Sequence, residues 1–297
     1  MNGVGNALDN WIVGNTGSNV LDGKEGNDLL SASSGNDSLY GGAGNDILEG
    51  QDGADTLEGG AGVDALFGGS GGDTLRVGWD RGLLAGGKGS DRLYSSSDST
   101  TVVAFNKGDG ADVLYTQGTQ EITVSLGGGI RYEDIKFKRS GSDLYMLFNS
   151  TSTDSLRVVN YYGVSASLRP ALAMQMLNEP SGVYAPGSID VLRDNKVEQF
   201  DASRIVADFD VAYAATYSLR TGGAWAVMGS LLNAHLSGSD SVALGGDLAY
   251  LYGQTTGLGG VGMVAANSVL SDANFGTATQ TLHSNLTVGA GAPRMVG

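Results

Sequence analysis

From Gly5 to Tyr94 an aliphatic side chain returns at every ninth position without insertion: Ile12, Leu21, Leu30, Leu39, Leu48, Leu57, Leu66, Leu75, Leu84 and Leu93. Two positions before each stands a short polar residue: Asn10, Asn19, Asp28, Asp37, Asp46, Asp55, Asp64, Asp73 and Asp91, with Gly82 breaking the series. Such phasing is an internal repeat and is read before any local propensity. Counted from Gly5 it gives ten blocks of nine, of which Gly41–Glu49, Gly59–Phe67, Gly68–Arg76 and Gly86–Tyr94 are the fullest. Glycines at block positions one, two and four permit positive φ and close backbone approach, and so build a turn. In these blocks they are Gly41, Gly42 and Gly44; Gly59, Gly60 and Gly62; Gly68, Gly69 and Gly71. The three residues after the Asp make a short strand whose middle side chain points inward. Turn, strand, turn, strand closes one coil in two blocks, so the ten blocks predict five coils. Stacking would set the inward Leu in two columns and the Asp in two more, along the turns.

A column of carboxylates repels itself, each charge raising its neighbour's pKa. A divalent cation between them removes the repulsion. The donors on offer are carboxylate and turn carbonyl oxygens, a hard set that suits Ca²⁺ in irregular cages better than Mg²⁺ in a strict octahedron. Composition points the same way. Of 297 residues, 49 are Gly and 4 Pro, with no Gly-X-Y period, which excludes collagen. Acidic residues outnumber basic ones 32 to 17, for a net charge of −15 that disfavours nucleic acid and anionic lipid. A hydrophobic fraction of 41% is too high for a chain disordered throughout. There is no Cys, hence no disulfide or thiolate site. No apolar run reaches the roughly 18–20 residues of a bilayer span. Residues 1–20 lack the basic start and apolar run of a signal peptide. Because Met1 leads straight into repeat-like sequence, the chain is expected to be a piece of a longer protein.

These blocks resemble the RTX (repeats-in-toxin) family, whose nonapeptide is GGxGxDxUx with U a large apolar residue. The resemblance implies a mainly β fold, a right-handed parallel β-roll that binds several Ca²⁺ ions, each between turns two repeats apart. Carried onto this chain, it pairs Asp28 with Asp46, Asp37 with Asp55, Asp46 with Asp64, Asp55 with Asp73, and Asp73 with Asp91. The partner of Asp64 fails, because position 82 is Gly. Asn10 and Asn19 bring only neutral oxygens, so the first sites are expected to be weaker. Block nine (Val77–Ala85) keeps little beyond Leu84 and is expected to form a distorted turn. Ten buried aliphatics are a small return for ordering so much glycine-rich chain. The apo repeat is therefore expected to be disordered, with Ca²⁺ binding supplying the folding free energy.

Past residue 94 the frame breaks at 95–102. Lys107–Tyr115 then gives one more partial block, adding Asp109 and Asp112 as candidate ligands. Strand-like runs follow at Glu121–Leu126, Ile135–Lys138, Leu144–Phe148 and Leu156–Tyr162, rich in β-branched and aromatic residues. This order resembles the region after the nonapeptides in many RTX proteins, and implies a β cap over the open end of the roll. Asp143 and Asp154 are candidate ligands or, more simply, turn acceptors. Helical patterns are predicted at Val197–Ala215 and Ala224–Leu236. Residues 211–297 carry only five charges. They resemble the C-terminal ends of RTX proteins that a type I ABC exporter reads; an ordinary α/β subdomain is the plainer reading. The expected organisation is thus a roll at 5–94, a β cap at 95–162, a transition at 163–210 and a mixed α/β secretion-signal tail at 211–297.

Three catalytic patterns occur by accident in glycine-rich chain. Gly68–Gly72 matches G-x-S-x-G, but Ser70 is the variable third position of a repeat. Gly82–Lys88 matches the start of a phosphate loop, but Gly89 stands where Ser or Thr is required. Gly260–Ala265 matches a dinucleotide fingerprint without a βαβ unit. His235 and His283 form no spaced metal motif. No catalytic residue is assigned, and no enzyme is expected. The reading that emerges is the C-terminal portion of a Gram-negative RTX protein, secreted or at the cell surface, whose repeats fold on meeting Ca²⁺. The alternatives are an adhesion module contacting a surface or glycan, or the end of a secreted protease, lipase or haemolysin. Against adhesion, position seven, from Trp11 and Val20 to Leu83 and Arg92, is too mixed for a flat binding array.

Overall fold

The structure is a computed structural model that describes residues 2–96, 100–118, 120–127, 129–148, 153–177 and 197–239. The described chain is a mainly β, parallel β-solenoid of about seven coils with minor helices after it. Each nonapeptide delivers one strand. Even-numbered blocks feed one sheet, through Val20–Glu25, Ser38–Ala43, Thr56–Ala61, Thr74–Gly78 and Arg92–Tyr94. Odd-numbered blocks feed the other, through Trp11–Val13, Leu29–Ser31, Ile47–Asp52, Asp64–Gly71 and Gly82–Gly89. Pairing is parallel between blocks two apart, with Leu39 opposite Leu57 in the even sheet and Leu48 opposite Leu66 in the odd sheet. From Leu21 to Leu93 every position-eight side chain is buried in one continuous core, which the partly buried Ile12 joins at its edge.

The turns show why glycine is needed. Gly42, Gly60 and Gly69 at position two all have positive φ. A Cβ on any of them would collide with the carbonyl one coil earlier, that of Lys24, Gly42 or Gln51. The coils are therefore stacked as closely as a bare backbone allows. Lys24, Ser33 and Gln51 hold the same position at positive φ although they are not glycine.

The roll does not stop at the fifth coil. Thr101–Asn106, Glu121–Gly127 and Ala171–Leu177 extend the odd sheet in parallel, and Ala111–Tyr115 and Ser155–Val158 extend the even sheet. Lys107–Tyr115 re-enters register, placing Leu114 opposite Leu93, while Val103 follows Leu84. The inward columns thus continue with larger residues, and aromatic pairs such as Phe105 with Phe148 and Phe137 with Phe209 fill the far end.

Both sheets then turn antiparallel. Asp143–Leu147, Lys136–Ser140 and Trp225–Ala226 finish the even sheet; Val197–Asp201 and His235–Ser239 finish the odd one. Two helical expectations are corrected here. Val197–Asp201 is a strand, and helix begins only at Ala202, where the Asp201 carboxylate accepts the Arg204 N–H and caps it. Within Ala224–Leu236 only Met228–Ala234 is helical, because Trp225–Ala226 and His235–Ser239 are drawn into sheet edges. Gly260–Ala265 and His283 lie outside the described residues. Ser70 is exposed on a strand beside Lys88 and Asp52, and Gly82–Lys88 is strand, not a loop entering a helix.

Candidate metal centre

The position-six carboxylates fall in two columns, one at each turn of the roll. In the odd column the Asn10 N–H donates to Asp28 Oδ1 (2.7 Å), the Asp28 N–H to Asp46 (2.8 Å) and the Asp46 N–H to Asp64 (2.9 Å). In the even column Asn19 donates to Asp37, Asp37 to Asp55 (2.7 Å), Asp55 to Asp73 (2.8 Å), Asp73 to Asp91 (2.8 Å) and Asp91 to Asp112 (3.0 Å). One oxygen of each aspartate is therefore committed to holding the coil before it. The other is not. Oδ2 of Asp28, Asp37, Asp46, Asp55, Asp64, Asp73 and Asp91 is buried and accepts no hydrogen bond. A buried acceptor without a donor costs about 1–3 kcal/mol, more when charged.

Six of the seven orphan oxygens lie over the first glycine of their own block; the exception is Asp37, whose block opens with Ala32. A Cβ on Gly41 would run into Asp46 Oδ2 and the Gly59 carbonyl; Gly59, Gly50 and Gly68 repeat this with Asp64, Asp55 and Asp73. At Gly23, Gly41, Gly50, Gly59 and Gly68, glycine thus keeps open a cradle of one carboxylate oxygen and one carbonyl oxygen. Among the described residues no three His, Asp or Glu side chains gather where they could hold a metal. A cation here would take its remaining ligands from carbonyls, and the donor set is all hard oxygen, as Ca²⁺ requires.

Electrostatics show the same deficit. Burial, reinforced by the charge of neighbouring aspartates, pushes the carboxyl of Asp55 up to about 6, Asp46 to about 7, and Asp64 and Asp73 to about 8; the N–H bonds only partly offset it. Asp28 is raised for the same reason. Asp91 and Asp112 interact directly, and burial drives both upward, Asp112 further because of the Asp91 charge. Asp109 reaches about 7 through burial and the nearby Asp154, although the Asn106 N–H donates to it (2.6 Å).

Asp143 behaves differently. Burial opposes its charge, but the Asn160 N–H (2.7 Å) and the Arg157 guanidinium (2.6 Å) outweigh it and hold its pKa below the usual value. It is a turn acceptor with a counter-ion. Asp154 accepts the Gly108 N–H (2.9 Å).

Block nine breaks the odd column in a specific way. Elsewhere position one is Gly or Ala and position six is Asp or Asn; here they are Val77 and Gly82. Val77 is fully buried, and its Cγ1 sits where a Cβ on Gly82 would go. An apolar plug therefore replaces the carboxylate, and the Asp64 N–H turns to the Arg81 carbonyl (3.3 Å). The block is less distorted than expected, since Gly78 stays opposite Gly60 and Leu84 opposite Leu66.

Position five carries a second polar ladder that the position-six phasing does not reveal. The Asn27 N–H donates to Asp9, Asn45 to Asn27 Oδ1 and Val63 to Asn45 Oδ1. Its signal is the recurrence of Asp9, Asn27, Asn36 and Asn45 one residue ahead of the position-six carboxylates and amides.

Residues 4–39 and 40–75 each match the family model of the RTX calcium-binding nonapeptide repeat (4 copies). The matched coils, residues 4–75, are thus RTX calcium-binding repeats, a region itself non-catalytic, and such repeats are typical of secreted proteins. No curated protein matches the chain. Among the described residues no helix is long and apolar enough to cross a membrane.

Proposed function

We propose that the roll is a Ca²⁺-triggered folding switch serving type I secretion. Asp28, Asp37, Asp46, Asp55, Asp64, Asp73 and Asp91, with turn carbonyls of blocks such as Gly41–Gly44, Gly59–Gly62 and Gly68–Gly71, hold the ions; Asp112 and Asp109 extend the even column. The observation that carries this reading is the set of seven buried, unpartnered Oδ2 atoms at the position-six aspartates of the repeats. A bound cation satisfies these oxygens and cancels the column repulsion. Without it the carboxylates must be either protonated or left charged and unpaired, and the folded roll is disfavoured. In a cytosol poor in Ca²⁺ the repeats stay unfolded and fit an ABC exporter that reads the 211–297 tail. Outside, sites of the order of 10⁻⁴–10⁻³ M, common in extracellular modules, fill and fold the chain. Folding there opposes back-sliding.

Far-ultraviolet circular dichroism titration with Ca²⁺, and with Mg²⁺ as control, tests the switch. A cooperative gain of β signal with Ca²⁺ alone is expected. A chain fully folded in EDTA and indifferent to Ca²⁺ would move the weight to a constitutive adhesive role. The secretion arm is tested by export yield through a supplied type I exporter, which should fall when external Ca²⁺ is removed.

A further inference from the structure

The two sheets present different outer faces. Position-seven and position-nine side chains point away from the inward Leu, to the outside of the roll. Position seven brings Leu29, Ile47, Ala65 and Leu83 to the odd face but Val20, Ser38, Thr56, Thr74 and Arg92 to the even one. Along position nine of the even face Arg76 stands next to Tyr94, and Tyr94 next to Tyr115. The Arg76 guanidinium lies 4.3 Å from the centre of the Tyr94 ring, and the two tyrosines stack at 4.6 Å with their planes 8° apart. This stack runs across the strands, so it turns ring edges and guanidinium N–H groups outward. Register carries the face on past the repeats. Arg92 and Val113 are followed by Arg157, Tyr145 and Lys138, with Lys136 on the same strand as Lys138. All of these side chains are half-buried or exposed.

We propose that this half of the even face, from Arg76 to Lys138, binds an acidic polysaccharide, a sugar chain that carries carboxylates. Charge complementarity chooses the partner. Five cations, Arg76, Arg92, Arg157, Lys136 and Lys138, gather here on a chain whose net charge is −15. Glu58 lies 4.0 Å from Arg76 and Asp143 lies 2.6 Å from Arg157, which leaves Arg92, Lys136 and Lys138 without an ion pair among the described residues. Six strands, at about 4.8 Å spacing, make a strip roughly 24 Å long that an extended chain can follow. Phenol and guanidinium donors along it suit the hydroxyls and carboxylates of such a chain. Other polyanions fit less well. Tyr94 is covered on one face by Arg76 and on the other by Tyr115, so it has no free face for a nucleobase. Among the described residues none of the exposed large apolar side chains lies on this strip, so it has nothing to insert into a lipid surface. This surface goes beyond the export reading. It rests on the ion-binding reading in one respect: bound ions cancel the charge of the even aspartate column beside it.

Native electrophoresis of the full chain with Ca²⁺ tests the surface, in gels holding carboxymethyl cellulose or the neutral hydroxyethyl cellulose. Mobility is normalised to a gel without polysaccharide. Retardation by carboxymethyl cellulose alone is expected. The double variant Arg92→Gln with Lys138→Gln should weaken it at least about fivefold, and Arg76→Gln at least about twofold. Arg131→Gln with Arg204→Gln, two exposed sites off the strip, removes the same charge as the double variant and should leave retardation unchanged. Circular dichroism of each sample, in Ca²⁺ and in EDTA, reports the fold and the ion-binding reading separately. A folded parent that runs unretarded, equal retardation in both polymers, an equal loss in the control pair, or release by duplex DNA at lower concentration than by soluble carboxymethyl cellulose would each overturn the proposal.

Discussion

The repeat coils, residues 5–94, and the part of the molecule beyond Tyr115 share one backbone frame but treat charge differently. In seven of the ten repeats the turn buries a carboxylate and leaves one of its oxygens without a donor. Toward the far end Asp143 has Arg157 and the Asn160 N–H, Asp154 the Gly108 N–H, and Asp210 the Arg169 guanidinium at one oxygen, although its Oδ1 stays buried without a donor. Interiors differ to match. Repeat coils bury one Leu per turn, while the later coils bury Phe105, Phe137, Phe148, Phe200 and Phe209. A coil with a thin core and unpaired acids needs an ion; a coil with an aromatic core and paired acids does not. On the proposed reading, the molecule divides into a part whose order is conditional on the ion and a part that anchors it.

Chelation breaks the comparison most forcefully. In EDTA, hydrogen exchange at the strand amides around Leu39, Leu57 and Leu66 should accelerate at least a hundredfold or so, while Leu144–Met146 and Leu156 stay protected. Uniform loss, or uniform protection, would show that the two parts are one cooperative unit.

Glycine substitution separates them next. Gly60 has positive φ and its Cβ would meet the Gly42 carbonyl, so Gly60→Ala should cost about 2 kcal/mol or more in urea unfolding with Ca²⁺. Gly141 also has positive φ, but nothing lies within 4 Å of its Cβ position. Gly141→Ala should therefore cost only about 1 kcal/mol, the conformational penalty alone.

Protonation gives the third contrast. Asp46, Asp64 and Asp73 titrate near 7–8 in the ion-free roll, above their unfolded value. Raised carboxyl pKa values mean the folded form binds extra protons, so the ion-free roll loses stability as pH rises from about 4 through 8. Calcium needs the ionised form, so its titration midpoint should rise about tenfold as pH falls from 8 to 6. Asp46→Asn should raise the midpoint by a similar factor, about 1.4 kcal/mol, and leave more residual structure in EDTA. Asp143→Asn should leave the midpoint unchanged while lowering the stability of the closed end. A midpoint independent of pH would mean that these carboxyls are not the ligands.

Much of this was legible in the sequence because the repeat encodes each position redundantly. A Leu, an Asp and three glycines recur in phase, and each has a single structural role. Coils beyond Tyr94 were harder to read. Their register survives through Leu114 and Val103, but the spacing between coils lengthens and aromatic residues replace the Leu signature. The two outer faces were hidden for another reason. Position seven looks mixed when read block by block; taken by alternate blocks it splits into Trp11, Leu29, Ile47, Ala65 and Leu83 against Val20, Ser38, Thr56, Thr74 and Arg92. A period of nine hides a period of eighteen, since the coil, not the block, is the unit that faces one way. Helix ends at Ala202 and Met228 depended on sheet edges that capture neighbouring residues, which no local pattern reports.

The smallest expected effect is also the most specific. Val77 fills the small position of an ordinary block and Gly82 empties its acidic one, and so the odd column ends at Asp64. The double variant Val77→Gly with Gly82→Asp restores the usual pair without changing the register, because Gly78 and Leu84 already hold it. A new carboxylate then stands one coil beyond Asp64, where its Oδ1 can accept the Asp64 N–H as Asp64 accepts that of Asp46. Calcium stoichiometry by isothermal titration calorimetry should rise by about one ion, with a change in midpoint of less than about threefold. Gly82→Asp alone should instead destabilise the roll, since its Cβ collides with Val77. If the double variant folds but binds no further ion, the paired carboxylates are turn caps that only resemble a binding column. If it gains one, an aspartate on each of two successive turns suffices to make a site.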